Sequence, residues 1–148
     1  MSKKIIYLDM DNVVVDFQSG IDSLTTQEKI TFSQRYDEVP HIFSKMKPMK
    51  GALKAIEKLN EKYDLYLLST APWNNPSAWS DKVLWVQKYL GEIFYKRLIR
   101  SHHKNLNHGD YLIDDREKNG AKEFKGELLQ FGSNKFPDWD AILTYLIK

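Results

Sequence analysis

Two acidic pairs carry the first chemical signal in this chain. Asp9 and Asp11, with Met10 between them, follow a short apolar run, and Asp114 with Asp115 follows another. Carboxylates so placed can ligate a hard cation, attack an electrophile or exchange a proton. A single pair is as well explained by a turn or a helix cap, because Asp favours both. Two pairs brought to one edge of a sheet would repel and raise one another's pKa values unless a cation offset them. Ser69 and Thr70 close a third apolar run, and Lys104 sits in a polar loop. Their hydroxyls and ammonium suit the oxygens of a phosphate. The chain contains no cysteine, which excludes a thiolate nucleophile, a disulfide framework and a Cys-based zinc site. Adjacent His102 and His103 point apart and lack an evident third ligand, so they read as loop residues. Oxygen donors alone, open to a phosphate, favour Mg²⁺ over Ca²⁺.

The elements that must position these groups follow from hydrophobic patterning. Ile5-Ile6-Tyr7-Leu8 reads as a strand buried on both faces, and similar runs predict strands over 64–68, near 97–100, over 111–113 and over 127–131. Leu53, Ile56 and Leu59 recur at helical spacing within a helix expected over 51–63. Ser80 and Asp81 read as the cap of a helix running through Leu90, with Leu84, Trp85 and Tyr89 towards the core. Further helices are expected near 117–124 and over 137–147. The last is opened by Pro137 and contributes Trp139, Ile142, Leu143 and Leu146 to the core. Residues 16–50 read as a mostly helical insertion. Strands and helices alternate elsewhere, which implies right-handed βαβ units and an α/β fold. That fold is a three-layer, doubly wound parallel sheet with helices on both faces. Ligands of such sheets bind at the carboxyl ends of the strands, where the acidic pairs, Ser69 and Thr70 all fall.

Composition bounds the partners. A chain of 148 residues fits one domain, and 42% apolar with 28% charged residues is ordinary for a globular protein. Twenty-two basic against 20 acidic residues leave a formal charge of +2, too little to draw a nucleic-acid polymer or an anionic membrane. The opening apolar run is too short for a signal sequence and no long apolar stretch follows, so a cytoplasmic location is expected.

Asp9-Met10-Asp11-Asn12-Val13, Ser69-Thr70, Lys104 and Leu112-Ile113-Asp114-Asp115 occur in the order of the four motifs of the haloacid dehalogenase (HAD) superfamily, which the chain resembles over most of its length. Within it the chain is similar to the 5'(3')-deoxyribonucleotidases, through residues 9–17, 82–91 and 111–116. Asn12 departs from the Gly often found there, but Asn tolerates unusual backbone angles. The resemblance implies a HAD-like Rossmannoid core over 1–15 and 51–148, with a small helical cap over about 16–50. Asp9 would be the nucleophile and a metal ligand, and Asp11 the general acid and base with its backbone carbonyl in the metal shell. Asp114 and Asp115 would complete the Mg²⁺ site, and Ser69, Thr70 and Lys104 would take the phosphate. Phe17, helped by Phe43, would stack on a base, with Trp73 and Trp79 as candidates to wall the site. The implied substrate is a small phosphomonoester, a nucleoside monophosphate, with broad base tolerance because stacking discriminates little. Two alternatives stand beside it: a phosphatase for another small phosphomonoester such as a sugar phosphate, and a non-catalytic phosphate- or nucleotide-binding module.

Overall fold

β1 (Lys4–Leu8) forms the middle of a five-stranded, all-parallel sheet. The computed structural model describes residues 2–147. β1 pairs with β4 (Tyr63–Ser69) on one side and β6 (Tyr111–Asp114) on the other, and β5 (Leu98–Arg100) and β7 (Glu127–Gln130) form the edges. The chain builds outwards from β1 through β4 to β5, then crosses back to lay β6 and β7 on the other side. Strand order therefore reverses between β1 and β6, which opens a crevice beyond their carboxyl ends.

Alternation along the strands sends Ile6, Leu8, Leu65, Leu67, Ile113 and Leu129 into the larger core cluster. That cluster also holds Ala52, Ala55, Ile56 and Leu59 of α3 (Ala52–Asn60), Trp85 and Val86 of α4 (Pro76–Tyr89), and Trp139, Ile142 and Leu146 of α5 (Trp139–Leu146). Tyr7, Leu68 and Leu112 point the other way, onto Ala121 and Phe124.

The segment between β1 and α3 contains β2 (Val15–Asp16), α1 (Phe17–Asp22), α2 (Thr26–Thr31), 3₁₀ turns at Tyr36–Glu38 and Ile42–Lys45, and β3 (Lys47–Pro48), which pairs antiparallel with β2. It is less helical than its composition implies. Asp16 and Thr25 cap α1 and α2, Thr25 in a reciprocal capping box with Glu28, yet both helices are only six residues long. Short helices suffice because Val14, Val15, Leu24, Val39, Ile42, Phe43 and Met46 are all buried in the main core. Asn75 pins this segment to α4, its amide donating to the carbonyls of Asp37 (2.9 Å) and Val39 (3.0 Å). Trp85 Nε1 adds a bond to the Met46 carbonyl at 3.0 Å.

The helix expected near 117–124 does not form; hydrogen-bonded turns take its place. Asn119 (φ 56°) and Gly120 (φ 81°) adopt left-handed backbone angles, which a right-handed helix does not accommodate. α4 starts earlier than expected, with Pro76 in its first turn, so Ser80 and Asp81 lie inside it rather than at its cap. Its inward face carries Trp85, whereas Leu84 is 57% exposed. Leu53 is likewise exposed and Ala52 and Ala55 take the inward positions on α3. α5 begins after Pro137, capped by Asp138, whose carboxylate accepts from the Ala141 amide. Among the described residues no helix is long and apolar enough to cross a membrane.

Candidate active site

The pairing register brings the acidic pairs together. Leu8 lies opposite both Leu67 and Ile113, so the residues that follow, Asp9, Leu68-Ser69 and Asp114, emerge on one edge. The Asp9 amide still donates to the Ile113 carbonyl, at 2.9 Å, and keeps Asp9 in line with the ladder. Beyond it the chain coils tightly: the amides of Val13, Val14 and Val15 all converge on the Met10 carbonyl. Asn12 enables this with a φ of 64°, a left-handed value that Asn reaches more readily than most residues. Trp139 Nε1 ties the coil to α5 through the Val13 carbonyl at 2.8 Å.

Two buried lysines face these carboxylates. Lys104, 3% exposed, donates to Asp9 Oδ1 at 3.0 Å and to Asp114 Oδ2 at 2.5 Å. The turn 117–124 holds it in place, since the Lys104 amide donates to the Asn119 carbonyl at 2.8 Å. Gly120 is required for that approach: a Cβ there would lie 2.9 Å from the Lys104 nitrogen and 2.3 Å from Asn105 Oδ1. Lys82, 1% exposed, donates to Asp11 Oδ2 at 2.9 Å, Ser69 Oγ at 2.8 Å and the Thr70 carbonyl at 3.2 Å. Sequence reasoning assigned Lys82 no role. The available signal was its place with Ala78, Trp85 and Val86 on the inward face of α4, where an unpaired lysine would be costly.

Charge is unbalanced within this cluster. Four carboxylates, those of Asp9, Asp11, Asp114 and Asp115, meet two ammonium groups. Burial, the Asp9 charge and hydrogen bond, and Asp114 together push Asp115 up to about 7. Burial and Asp9 raise Asp114 to about 6, against the opposing effect of Lys104. Asp11 is raised by burial more than the Lys82 charge lowers it. Burial works against the charge of Lys104, but Asp9 and Asp114 outweigh it and hold the ammonium protonated above its usual range. Carboxylate oxygens of Asp9, Asp114 and Asp115 lie within 4.8 Å of one another. A compact, hard, divalent cation matches that donor set and offsets the surplus negative charge. The Asp11 carboxylate lies outside that trio and is engaged by Lys82.

A cavity of about 510 Å³ opens beside the cluster, lined by Asp11, Asn12, Thr70, Asp115, Arg116 and Asn119 and, from the segment between β1 and α3, by Phe17, Gln34, Tyr36 and Asp37. Thr70 faces it, while Ser69 is wholly buried beneath, accepting from Lys82. Phe17 is on the wall; Phe43 lies behind it, buried, with ring centroids 5.9 Å apart and the Lys82 ammonium 4.6 Å from the Phe43 ring. Trp73 and Trp79 lie outside this lining, packed on His102.

Comparison with solved structures places the fold among those of HAD-like proteins. The chain superposes on a protein from Bacillus subtilis named as a candidate HAD-hydrolase, bound to magnesium, with a TM-score of 0.70 at 10% identity, over 100% of both chains. A haloacid dehalogenase-like protein from Streptococcus pneumoniae gives 0.58 at 14% identity, covering 97% of this chain and 91% of the other. The family described as 5' nucleotidase, deoxy (pyrimidine), cytosolic type C protein matches residues 22–137. A protein of Vibrio phage KVP40, named as a candidate 5'(3')-deoxyribonucleotidase, is 64% identical over 144 residues, 97% of this chain and 85% of its own. Another of that name from Staphylococcus aureus is 28% identical over 136 residues, 78% of this chain and 75% of its own. The chain belongs to this 5' nucleotidase family and is a phosphatase of the HAD superfamily.

Proposed function

We propose that the chain is a magnesium-dependent 5'(3')-deoxyribonucleotidase that hydrolyses nucleoside monophosphates through a phosphorylated Asp9. The observation that carries this reading is the convergence of Asp9, Asp114 and Asp115 within 4.8 Å beside a cavity large enough for a nucleotide. Asp9, Asp114, Asp115 and the Asp11 carbonyl would hold Mg²⁺, which would screen the anionic nucleophile from the anionic phosphate and stabilise the charge of the transferring group.

The remaining chemistry falls to the chain's own groups. An Asp9 oxygen attacks phosphorus, the bond from phosphorus to the sugar oxygen breaks, and the sugar oxygen takes the proton held by Asp11. Asp11 is suited to this because burial keeps its carboxyl above the ordinary range. Lys82 opposes that rise, and so keeps the group able to ionise for the second step. There Asp11 takes a proton from water, the water oxygen attacks phosphorus, and the bond from phosphorus to Asp9 breaks to release inorganic phosphate. Thr70, with Ser69 beneath it, and Lys104 would orient the phosphate oxygens, and Lys104 keeps Asp9 aligned between turnovers. Residues 16–50 act as the cap, and Phe17, supported from behind by Phe43, stacks on the base.

A panel of phosphomonoesters assayed with Mg²⁺ tests the reading. Nucleoside monophosphates should be hydrolysed with higher kcat/KM than sugar phosphates, and equal or lower values would remove the nucleotidase assignment.

A further inference from the structure

We infer that the chain carries a second binding site, between α4 and the edge strand β5, for a small organic anion. The anionic head, a carboxylate or a phosphate-like group, pairs with Arg100, and an apolar body lies on Val83, Val86, Phe94 and Leu98. A cavity of about 410 Å³ opens there. It shares no lining residue with the cavity beside the acidic cluster, so the site stands whether or not the nucleotidase reading does.

Apolar lining and charge come from different elements. Trp79, Val83, Val86 and Gln87 recur at helical spacing along α4, and the last three line the cavity. Val86 and Phe94 are buried and Leu98 is half-buried, which gives the cavity an apolar base. Gly91 also lines it, and a Cβ there would meet nothing within 4 Å, so the mouth is open. Arg100 and Lys96 against Glu92 leave the lining with a positive excess. A concave apolar surface with a few placed polar groups is the usual form of a small-molecule site.

Arg100 is the group that points to a ligand. Its backbone is fixed in the ladder, opposite Ser69 of β4. Among the described residues its Nη1 is the one buried side-chain nitrogen or oxygen without a hydrogen-bond partner, and no carboxylate forms an ion pair with it. The guanidinium carbon lies 5.5 Å from the centroid of the Trp79 ring, so an aromatic surface holds the group while its donors stay unused. Burial lowers the Arg100 pKa, and no neighbouring charge opposes the shift. A buried cationic donor left unpaired costs stability until an acceptor reaches it. Carboxylate and phosphate oxygens match a guanidinium best, taking two parallel N–H bonds from its planar fork.

The test is binding of benzoate, phenylphosphonate and neutral benzamide to the Mg²⁺-loaded protein, read by tryptophan fluorescence and by the shift in Tm. Benzoate or phenylphosphonate should bind saturably, and whichever binds more tightly names the head group. Benzamide should bind at least about tenfold more weakly. Arg100→Met should keep a native-like Tm, because no hydrogen bond or ion pair within the chain is lost, and should weaken binding of the anion by about tenfold or more. Val83→Glu, which offers Arg100 a carboxylate from within the chain, should block the same binding while Arg100 remains. Absence of a saturable response to either anion, benzamide binding as tightly as the anions, or anion binding that survives in Arg100→Met and Val83→Glu overturns the inference.

Discussion

Replacing Lys82 by Met removes a buried charge while nearly preserving shape, and the structure supports a quantitative expectation. The Lys82 ammonium is 1% exposed and donates to Asp11 Oδ2, Ser69 Oγ and the Thr70 carbonyl. Truncating one partner of a buried ion pair costs about 3–5 kcal/mol, because the other charge is left uncompensated. Here the Asp11 side chain is 22% exposed and can be partly rehydrated, which favours the lower end, about 3 kcal/mol. For a domain of this size each kcal/mol moves Tm by about 2–4 °C, so a fall of about 6–12 °C is expected. Thermal unfolding followed by circular dichroism reads it. The double variant Lys82→Met/Asp11→Asn should be less destabilised than the sum of the single changes, by about 1–3 kcal/mol, since Asp11→Asn removes the stranded charge. A single-variant cost below about 1 kcal/mol, or strict additivity in the double variant, would refute the view that Lys82 is the counter-charge of Asp11.

Gly120→Ala should cost at least about 1 kcal/mol in urea unfolding and lower activity as well, because the left-handed φ of 81° and the contact with the Lys104 nitrogen both resist a Cβ; an unchanged midpoint with full activity would contradict this. In metal-free protein Asp114 and Asp115 hold protons to about 6 and about 7, whereas the unfolded chain releases them near the usual carboxylate value of about 4. The native state then binds more protons than the unfolded state across that interval, so these groups make stability fall as pH rises from about 4 to about 7. Denaturant titrations at pH 5 and pH 7.5 should show the fall without Mg²⁺, a smaller fall in Asp115→Asn, and its loss with saturating Mg²⁺; metal-free stability that rises over this range in step with Asp115→Asn would count against it. Trp139→Phe forfeits the bond from Nε1 to the Val13 carbonyl and leaves that carbonyl buried, so about 1–3 kcal/mol of stability should be lost, measured by the same titration.

The three inner strands were legible because each carries an apolar run followed by a polar group, a pattern set by burial on both faces. The four acidic residues were legible for the same reason, since Asp9 and Asp114 close their strands. The helix expected near 117–124 is replaced by turns because Asn119 and Gly120 adopt left-handed angles, and the turn grips Lys104 through a contact between segments separated in sequence. The role of Lys82 was hard to read for a related reason. A lysine within an amphipathic helix reads as solvated surface until the tertiary fold places Asp11 and Ser69 against it. Leu84 and Leu53 show the converse, apolar residues left in water because the inward positions of α4 and α3 were taken by Trp85 and by small alanines. The inner wall of the cavity, with Gln34, Tyr36 and Asp37, arises from 3₁₀ turns and loops that have no periodic signature.

In the proposed reaction Asp9, held by Lys104 beside Asp114 and Asp115, would be the nucleophile. Its most direct test is acid quenching of the Mg²⁺-loaded protein during turnover of a nucleoside monophosphate labelled in the phosphate, followed by peptide mapping. Acyl phosphates survive acid and break down in base, so the account predicts base-labile label on the peptide carrying Asp9, absent in Asp9→Asn. Turnover with no label on that peptide, or label that persists in Asp9→Asn, would contradict it.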